Sequence, residues 1–429
     1  VNALLVKDLA VLCVADPFYP SGGGMRAFRS LIGYLNRGLR VLLVQPCSTW
    51  GRATEEHVKR EWNDLTQRGI HIAGSSRLRS PFRLDGTPVW SKISHLAKIT
   101  VPSLFLKKEL FTQDQPDIVV SLHENFDSLY KATELAKFYE IPSVALLQLP
   151  THYENAKRRS NIMRAYELWY SMTLDKKLQK SSRMFFKKFG FGLVESRQRE
   201  LLKNFNSIIA VSRAIPIDMG EKWIPRVKSL DPGVSLDPYD VSLINNLNSK
   251  VHVREDYIIF GGRPIPEKGI VEGLLAFKNI LRHHKKMKLV IHGFLEESSV
   301  MNINRICKKL ELTYKVRITG YIPRDELFRS YAKARLMIYP SHMDSFSYTV
   351  LEALCLGLPV VAYRIPALEL YYNDIEGIYL VDELDLESFS NKAIELLEKE
   401  SNPVGMPKIR NWDDIIDEEV SLVEKTLEY

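Results

Sequence analysis

Short, continuous apolar runs alternate along this chain with longer stretches in which apolar residues recur every three or four positions. The run LAVLCVA at 9–15 has no polar alternation, which predicts a strand buried on both faces, as in a parallel sheet. Turn residues follow at Asp16, Pro17 and from Pro20 to Gly24. A helical pattern then runs over 25–36 until Gly38 stops it, and a second buried strand covers 40–44. Strand, glycine-rich turn, helix and parallel strand form a right-handed βαβ unit. The theme returns with a strand at 117–122, a helix at 129–139, and strands at 141–147 and 207–211.

The second half repeats the layout. A strand at 257–260 runs into Gly261-Gly262-Arg263, a helix covers 269–281, and further strands are expected at 288–292, 316–319, 336–339 and 359–363. Such alternation predicts an α/β chain of two doubly wound, Rossmann-like halves, which bind ligands outside the carboxyl ends of their strands. The Asn-rich stretch beginning DVSLINNLNS at Asp240 reads as a linker over 240–250. The expected division is therefore a first domain over 1–239, a second over 251–410, and a closing apolar-periodic helix within 411–429.

Length agrees, because 429 residues exceed one ordinary domain. No apolar run reaches the roughly eighteen residues of a membrane-spanning helix, and the apolar stretch near the N-terminus is too brief and too acidic for a signal peptide. Cys13, Cys47, Cys307 and Cys355 show no CxxC spacing and read as small buried hydrophobes in a reducing compartment. A cytoplasmic protein is expected. The 59 Lys and Arg against 52 Asp and Glu give a net charge of +7, but the excess is local. Between Thr151 and Lys203, thirteen basic residues face five acidic ones, interleaved with Trp169, Tyr170, Phe185, Phe186, Phe189 and Phe191. This composition suits an anionic membrane surface or a phosphorylated substrate, and a solvated helix face equally. No nucleic-acid-binding motif is visible in it.

Candidate chemistry concentrates in YPSHMDSFSYTVLEALCLGLPVVA, from Tyr339 to Ala362. A strand ends at Tyr339, a loop carries Asp344, and a helix over 347–356 stops at Gly357. The helix start would direct free amides and the positive end of the dipole at a phosphate or sugar oxygen. Asp344 and Glu352 are placed to grip separate parts of one elongated ligand. Periodicity alone leaves the alternative of a solvated Asp and a structural Glu.

This segment resembles the E-x7-E signature of retaining glycosyltransferases of family 4, the glycosyl transferases group 1. It matches at Pro340, Ser341, Phe346, Glu352, Ala353, Gly357, Pro359, Val360, Val361 and Ala362, and departs at Asp344 and Ser347, where the family usually has Glu and Gly. GGRPIPEKG at 261–269 is similar to the family's GRxxxxKG, and the Gly-rich turn at 20–24 to its PxxGG loop. SLHE at 121–124 resembles its active-site His segment, DPGV at 231–234 its turn before the linker, and NW at 411–412 its closing helix. Two stretches depart from the pattern: HGFL at 292–295 keeps only Gly293 of a GxG, and Glu369 lacks a preceding GG.

The resemblance implies a GT-B fold, with two Rossmann-like domains facing across a cleft, the first binding the acceptor and the second the nucleotide sugar. It also implies a closing helix at 411–429 returning to the first domain, and transfer of one sugar from a nucleotide diphosphate sugar to a hydroxyl acceptor. His123 would hydrogen-bond the reacting sugar. Arg263 and Lys268 would hold the diphosphate, aided by amides at Phe346, Ser347 and Tyr348. Asp344 would hold sugar hydroxyls, Glu352 the ribose, and Gly23, Gly24 and Gly262 would allow close backbone approach. No metal and no other cofactor is expected, since two fixed cations would neutralise the leaving group. A lipid-linked acceptor at the cytosolic membrane face, met through 151–203, is the expected partner. The alternatives are a nucleotide-sugar isomerase or hydrolase of the same fold and a non-catalytic nucleotide-sugar-binding protein.

Overall fold

The computed structural model describes residues 9–18, 22–45, 63–73, 115–232, 236–250, 253–293, 295–399, 404–407 and 410–428. Pro20, Ser21, Cys47, Gly233, Val234 and Phe294, and with them parts of the glycine-rich turn, the DPGV turn and the HGFL stretch, lie outside these residues. By its contacts the chain divides into two compact units. One holds the described residues of Val1–Tyr153, Phe189–Pro232 and Asn411–Tyr429, and the other those of Glu154–Lys188 and Gly233–Arg410.

The first unit is built on a parallel seven-stranded sheet in the order β3-β2-β1-β4-β5-β6-β7. Its strands are β1 (Ala10–Val14), β2 (Arg40–Val44), β3 (His71–Ala73), β4 (Ile118–Ser121), β5 (Ser143–Leu147), β6 (Ser207–Ala210) and β7 (Lys228–Ser229). Every residue of β1, β4, β5 and β6 is buried, which accounts for their unbroken apolar sequences. Helix Gly22–Asn36 follows β1 and turns its buried residues Ala27, Leu31 and Tyr34 to the core. Helix Trp412–Glu424 lies against it, contributing Ile416, Val420 and Val423 to the same core. A Cβ at Gly33 would lie only 2.5 Å from Cγ2 of Ile416, so the two helices approach closely because that side chain is absent. The contact also contains a buried ion pair, Arg26 with Glu419, and Tyr34 donates its hydroxyl hydrogen to Glu419 at 2.7 Å.

The second unit has a parallel six-stranded sheet in the order β10-β9-β8-β11-β12-β13. Its strands are β8 (Tyr257–Phe260), β9 (Lys288–His292), β10 (Val316–Gly320), β11 (Leu336–Tyr339), β12 (Val360–Tyr363) and β13 (Ile378–Val381). In each sheet the order reverses once, between β1 and β4 and between β8 and β11. Helices leave opposite faces at such a switch point and open a crevice at the strands' carboxyl ends.

Two expectations need correction. The Asn-rich stretch at 240–250 is not an irregular linker but part of helix Pro238–Lys250. Asp237 and Asp240 cap its start reciprocally, each accepting from the other's backbone N–H, at 3.0 Å and 3.3 Å, and Pro238 occupies the first turn. Ile244 and Leu247, one turn apart, bury the inner face. Nor is the first domain continuous over 1–239, because 154–188 and the stretch from 233 belong to the second unit. The physical reason is helix Ala156–Thr173. Its Leu168, Trp169 and Met172 pack on the second core, and its last carbonyl, that of Thr173, accepts from Arg305 at 2.6 Å. Ten of the thirteen basic residues of that segment therefore belong to the second unit. Cys13, Cys307 and Cys355 are buried free thiols.

Candidate active site

The switch point of the second unit brings together the loop after β8 and the loop after β11. The first loop contains Gly262 and Arg263 and ends in a single 3-10 turn, Pro266–Lys268. Gly269 follows at φ 70°, in the left-handed region, and a Cβ there would lie 1.9 Å from the carbonyl oxygen of Pro340. Only glycine permits this backbone approach. As a result, Lys268 Nζ reaches the second loop, donating to the Met343 carbonyl at 2.6 Å and to Asp344 Oδ2 at 2.8 Å, with Tyr339 Oη at 3.4 Å.

Asp344 is the centre of this loop. Its Oδ2 also accepts from the Tyr339 hydroxyl, and its Oδ1 faces the N–H groups of Ser345 at 2.8 Å, Ser347 at 3.2 Å and Phe346 at 3.4 Å. Burial works to raise its pKa, but the Lys268 charge and the hydrogen bonds from Lys268, Tyr339 and Ser345 outweigh burial and hold it below the usual carboxylate range. The amides of Phe346 and Ser347, expected to face a phosphate, thus meet the Asp344 carboxylate here. Tyr348 begins helix Tyr348–Cys355, whose N-cap Ser347 has φ 68° and accepts from the Val350 N–H through its side chain. The Ser347 carbonyl accepts from the Tyr372 hydroxyl at 3.0 Å, and Phe346 packs in an aromatic group with Tyr348, Tyr371 and Tyr372.

Other expected residues are placed differently. Arg263 is exposed, with no ion pair among the described residues. Glu352 is buried and paired with Arg324 at 3.1 Å, while the same guanidinium bonds Asp240 at 2.7 Å. The two acids of the signature therefore face different cations.

Behind the loop lies a buried charged cluster. His342 is fully buried, its Nδ1 3.0 Å from Glu383 and its Nε2 3.1 Å from Glu272. Arg158 pairs with Glu383 and donates to the His342 carbonyl at 2.8 Å. Burial pushes the His342 pKa down, but its bonds to the two glutamates reverse this and the net shift is upward. None of these four residues was singled out from the sequence. The available signals were Glu272 inside the apolar stripe IVEGLLAF and His342 inside the signature itself.

The first unit has its own constellation at the β1/β4 switch point. His123 follows β4, is nine-tenths buried, and its Nε2 makes no hydrogen bond among the described residues. Burial pushes its pKa down to about 4, with a small opposing contribution from the backbone of Asp16. Gln148, just past β5, places its side-chain nitrogen 2.7 Å from the Leu122 carbonyl, 3.0 Å from the Gly23 carbonyl and 3.3 Å from His123 Nδ1. Gly23 and Gly24 lie in the first turn of helix Gly22–Asn36, so the glycine-rich turn is partly helical. Glu124 is half-buried, accepts from the Gln148 N–H at 3.1 Å, and has its pKa raised by desolvation.

Residues 246–410 match the family model described as glycosyl transferases group 1. An uncharacterized glycosyltransferase of Methanocaldococcus jannaschii is 29% identical over 162 residues, 36% of this chain and 41% of that protein. Alpha-monoglucosyldiacylglycerol synthase of Streptococcus pneumoniae is 26% identical over 172 residues, 36% of this chain and 38% of that protein. The matched stretches therefore span about two fifths of these relatives. The crystal structure of HepE from Anabaena, in complex with UDP and glucose, superposes with a TM-score of 0.55 at 15% identity, covering 98% of both chains. The chain has the GT-B fold, and its residues 246–410 are similar to the glycosyl transferases group 1.

Proposed function

We propose that the chain is a retaining glycosyltransferase that moves one sugar from a nucleotide diphosphate sugar to a hydroxyl of a lipid-linked acceptor. The observation that carries this reading is the contact of Lys268 with Asp344, which joins the loops after β8 and β11 just ahead of helix Tyr348–Cys355. The bond from the anomeric carbon to the phosphate oxygen breaks, the acceptor oxygen bonds to that carbon on the same face, and the acceptor's proton passes to the departing phosphate. Negative charge grows on the leaving diphosphate, and cations already fixed in place stabilise it without reorganising. Lys268 and Asp344 together are neutral, so Lys268 supplies position and Arg263 supplies the surplus charge. Arg263, with Lys268 holding the loop, would then do the work that a divalent ion would otherwise do, and the reaction is expected to proceed without one.

Support for a membrane-borne acceptor comes from helix Lys177–Leu202. Leu178, Phe185 and Phe186 are 82%, 65% and 61% exposed, and Lys177, Lys180, Arg183 and Lys188 flank them on the same helix. Large apolar side chains among cations are what binds an anionic lipid surface. One relative's name specifies a glycolipid product, in agreement. Among the described residues no helix is long and apolar enough to cross a membrane, so contact through this helix would be peripheral, at the cytosolic face.

The test is a panel of nucleotide sugars, beginning with UDP-sugars because HepE holds UDP. Release of nucleoside diphosphate that depends on a glycolipid acceptor, with the anomeric configuration kept and with EDTA present, supports the reading. Turnover of donor alone would point to a hydrolase or isomerase, and binding without turnover to a non-catalytic receptor. Sedimentation with phosphatidylglycerol vesicles, abolished by Phe185→Ser/Phe186→Ser, tests the membrane surface separately.

A further inference from the structure

In the first unit, three chain segments meet at the carboxyl ends of β1, β4 and β5, and Gln148 ties them together. Its side-chain nitrogen faces two carbonyl oxygens, those of Leu122 and Gly23. The opposite amide orientation would set oxygen against two oxygens, so the orientation is dictated by its surroundings. With the nitrogen so placed, His123 Nδ1 looks onto an NH2 group at 3.3 Å. That group can donate but cannot accept. A proton on Nδ1 would meet Gln148 hydrogens head-on, so Nδ1 must be bare and the ring's single proton must sit on Nε2.

We infer that Gln148 is a positioning residue that locks His123 as a neutral Nε2–H donor, aimed at an oxygen of the bound ligand. Two independent observations agree. Among the described residues Nε2 is buried without a hydrogen-bond partner, a cost of about 1–3 kcal/mol for a group that no ligand satisfies. The ring is also kept neutral by burial, which outweighs the hydrogen bond to the Asp16 backbone that favours the charged form. An N–H donor of this kind reads a hydroxyl or ether oxygen and cannot act as a proton acceptor. The same Gln148 nitrogen holds the Gly23 carbonyl, so the glycine-rich turn and the His123 tautomer are set by one side chain. That the ligand oxygen belongs to a sugar rests on the proposed function, whereas the tautomer does not.

The experiment is long-range 1H–15N NMR of the full chain labelled at histidine, with His123→Gln identifying the His123 signals. The expected spectrum at neutral pH shows Nε2 protonated and Nδ1 bare. In Gln148→Glu, an oxygen replaces the NH2 group and draws the proton to Nδ1. In Gln148→Met, which removes the donor with little change of shape, the ring populates both tautomers. A wild-type ring protonated on Nδ1 overturns the assignment, as does an Nε2–H ring that neither variant disturbs. If no nucleotide sugar is turned over, the functional proposal falls while the tautomer result still stands.

Discussion

Lys268 and Asp344, 76 residues apart in sequence, form an ion pair at 2.8 Å that joins the loops after β8 and β11. Both side chains are about 15% exposed, so the pair is screened little by solvent. Removing the cation leaves a carboxylate held only by Tyr339 and backbone amides. Lys268→Met is therefore expected to destabilise the fold by about 2 kcal/mol, below the roughly 3–5 kcal/mol of a fully buried broken pair. Urea denaturation checks the value. Asp344→Asn has a pH signature. The Asp344 carboxyl is held below the ordinary range, so its contribution is complete above about pH 4, the ordinary Asp value, and is lost as pH falls through the depressed pKa. The stability gap between wild type and Asp344→Asn should be level at neutral pH and close in acid. A gap that persists to the acid limit contradicts the pairing.

Arg263 offers a cleaner separation of stability from function. It is exposed and holds nothing in place among the described residues, so Arg263→Ala should change stability by no more than about 0.5 kcal/mol. Its guanidinium is the surplus charge proposed to meet the diphosphate, and removing a charge-assisted contact costs about 1.5–3 kcal/mol. Calorimetric titration with nucleoside diphosphates should show affinity lowered roughly tenfold to a hundredfold at unchanged stability. Equal affinity in variant and wild type would remove Arg263 from the site.

Gly269→Ala should damage the same loops through the backbone. The residue adopts φ 70°, and a Cβ would lie 1.9 Å from the Pro340 carbonyl oxygen, so either the 3-10 turn or the loop after β11 must move. Left-handed backbone alone costs an alanine about 1–2 kcal/mol, and the steric conflict adds to that. The expected result is a loss of more than about 2 kcal/mol together with weakened nucleotide binding. A variant as stable as wild type would mean that the loops are not in contact.

Much of this site can be read in the sequence, for a physical reason. Strands buried on both faces leave unbroken apolar runs, and the residues after β8 and β11 carry glycine, cations and acids wherever backbones meet. What escaped was set by tertiary contact. Arg158 stands in a basic run like its neighbours, and only the packing of its helix on the second core places it against Glu383. Gln148 follows the apolar strand β5 with nothing to distinguish it from a surface residue. Helix Pro238–Lys250 was hidden by its asparagines, although its Asp-Pro-Tyr-Asp start is a capping pattern that composition masks. Strand β13 is four residues long and only partly buried, too brief for its apolar pattern to stand out.

Ser347 illustrates how a departure from the usual glycine is accommodated. Its backbone is left-handed at φ 68°, a cost that glycine would not bear, yet its side chain caps helix Tyr348–Cys355. Ser347→Gly relieves strain and loses the cap, and a glycine in place of a serine cap costs only a few tenths of a kcal/mol. Ser347→Ala keeps the strain and loses the cap, costing about 1 kcal/mol. Thermal denaturation should rank Gly at or near wild type and Ala below both. The reverse order would show that the left-handed backbone is not adopted in solution.

The cluster behind the signature loop should make stability depend on pH in the opposite sense to Asp344. His342 is held between Glu272 and Glu383, and its pKa is raised despite burial. A raised folded-state pKa means that its contribution is complete below about pH 6.5, the ordinary His value, and is lost as pH rises through the elevated one. Stability measured by chemical denaturation should therefore decline on the alkaline side of neutrality, and His342→Gln should flatten that decline. Arg158→Met tests the partner charge. It leaves Glu383 with His342 as its only counter-charge in this cluster and removes the bond to the His342 carbonyl, at an expected cost of about 3 kcal/mol. With Arg158 gone, Glu383 must rely more on the imidazolium, so the alkaline decline should steepen rather than vanish. A decline that is the same in wild type, His342→Gln and Arg158→Met would place its origin outside this cluster.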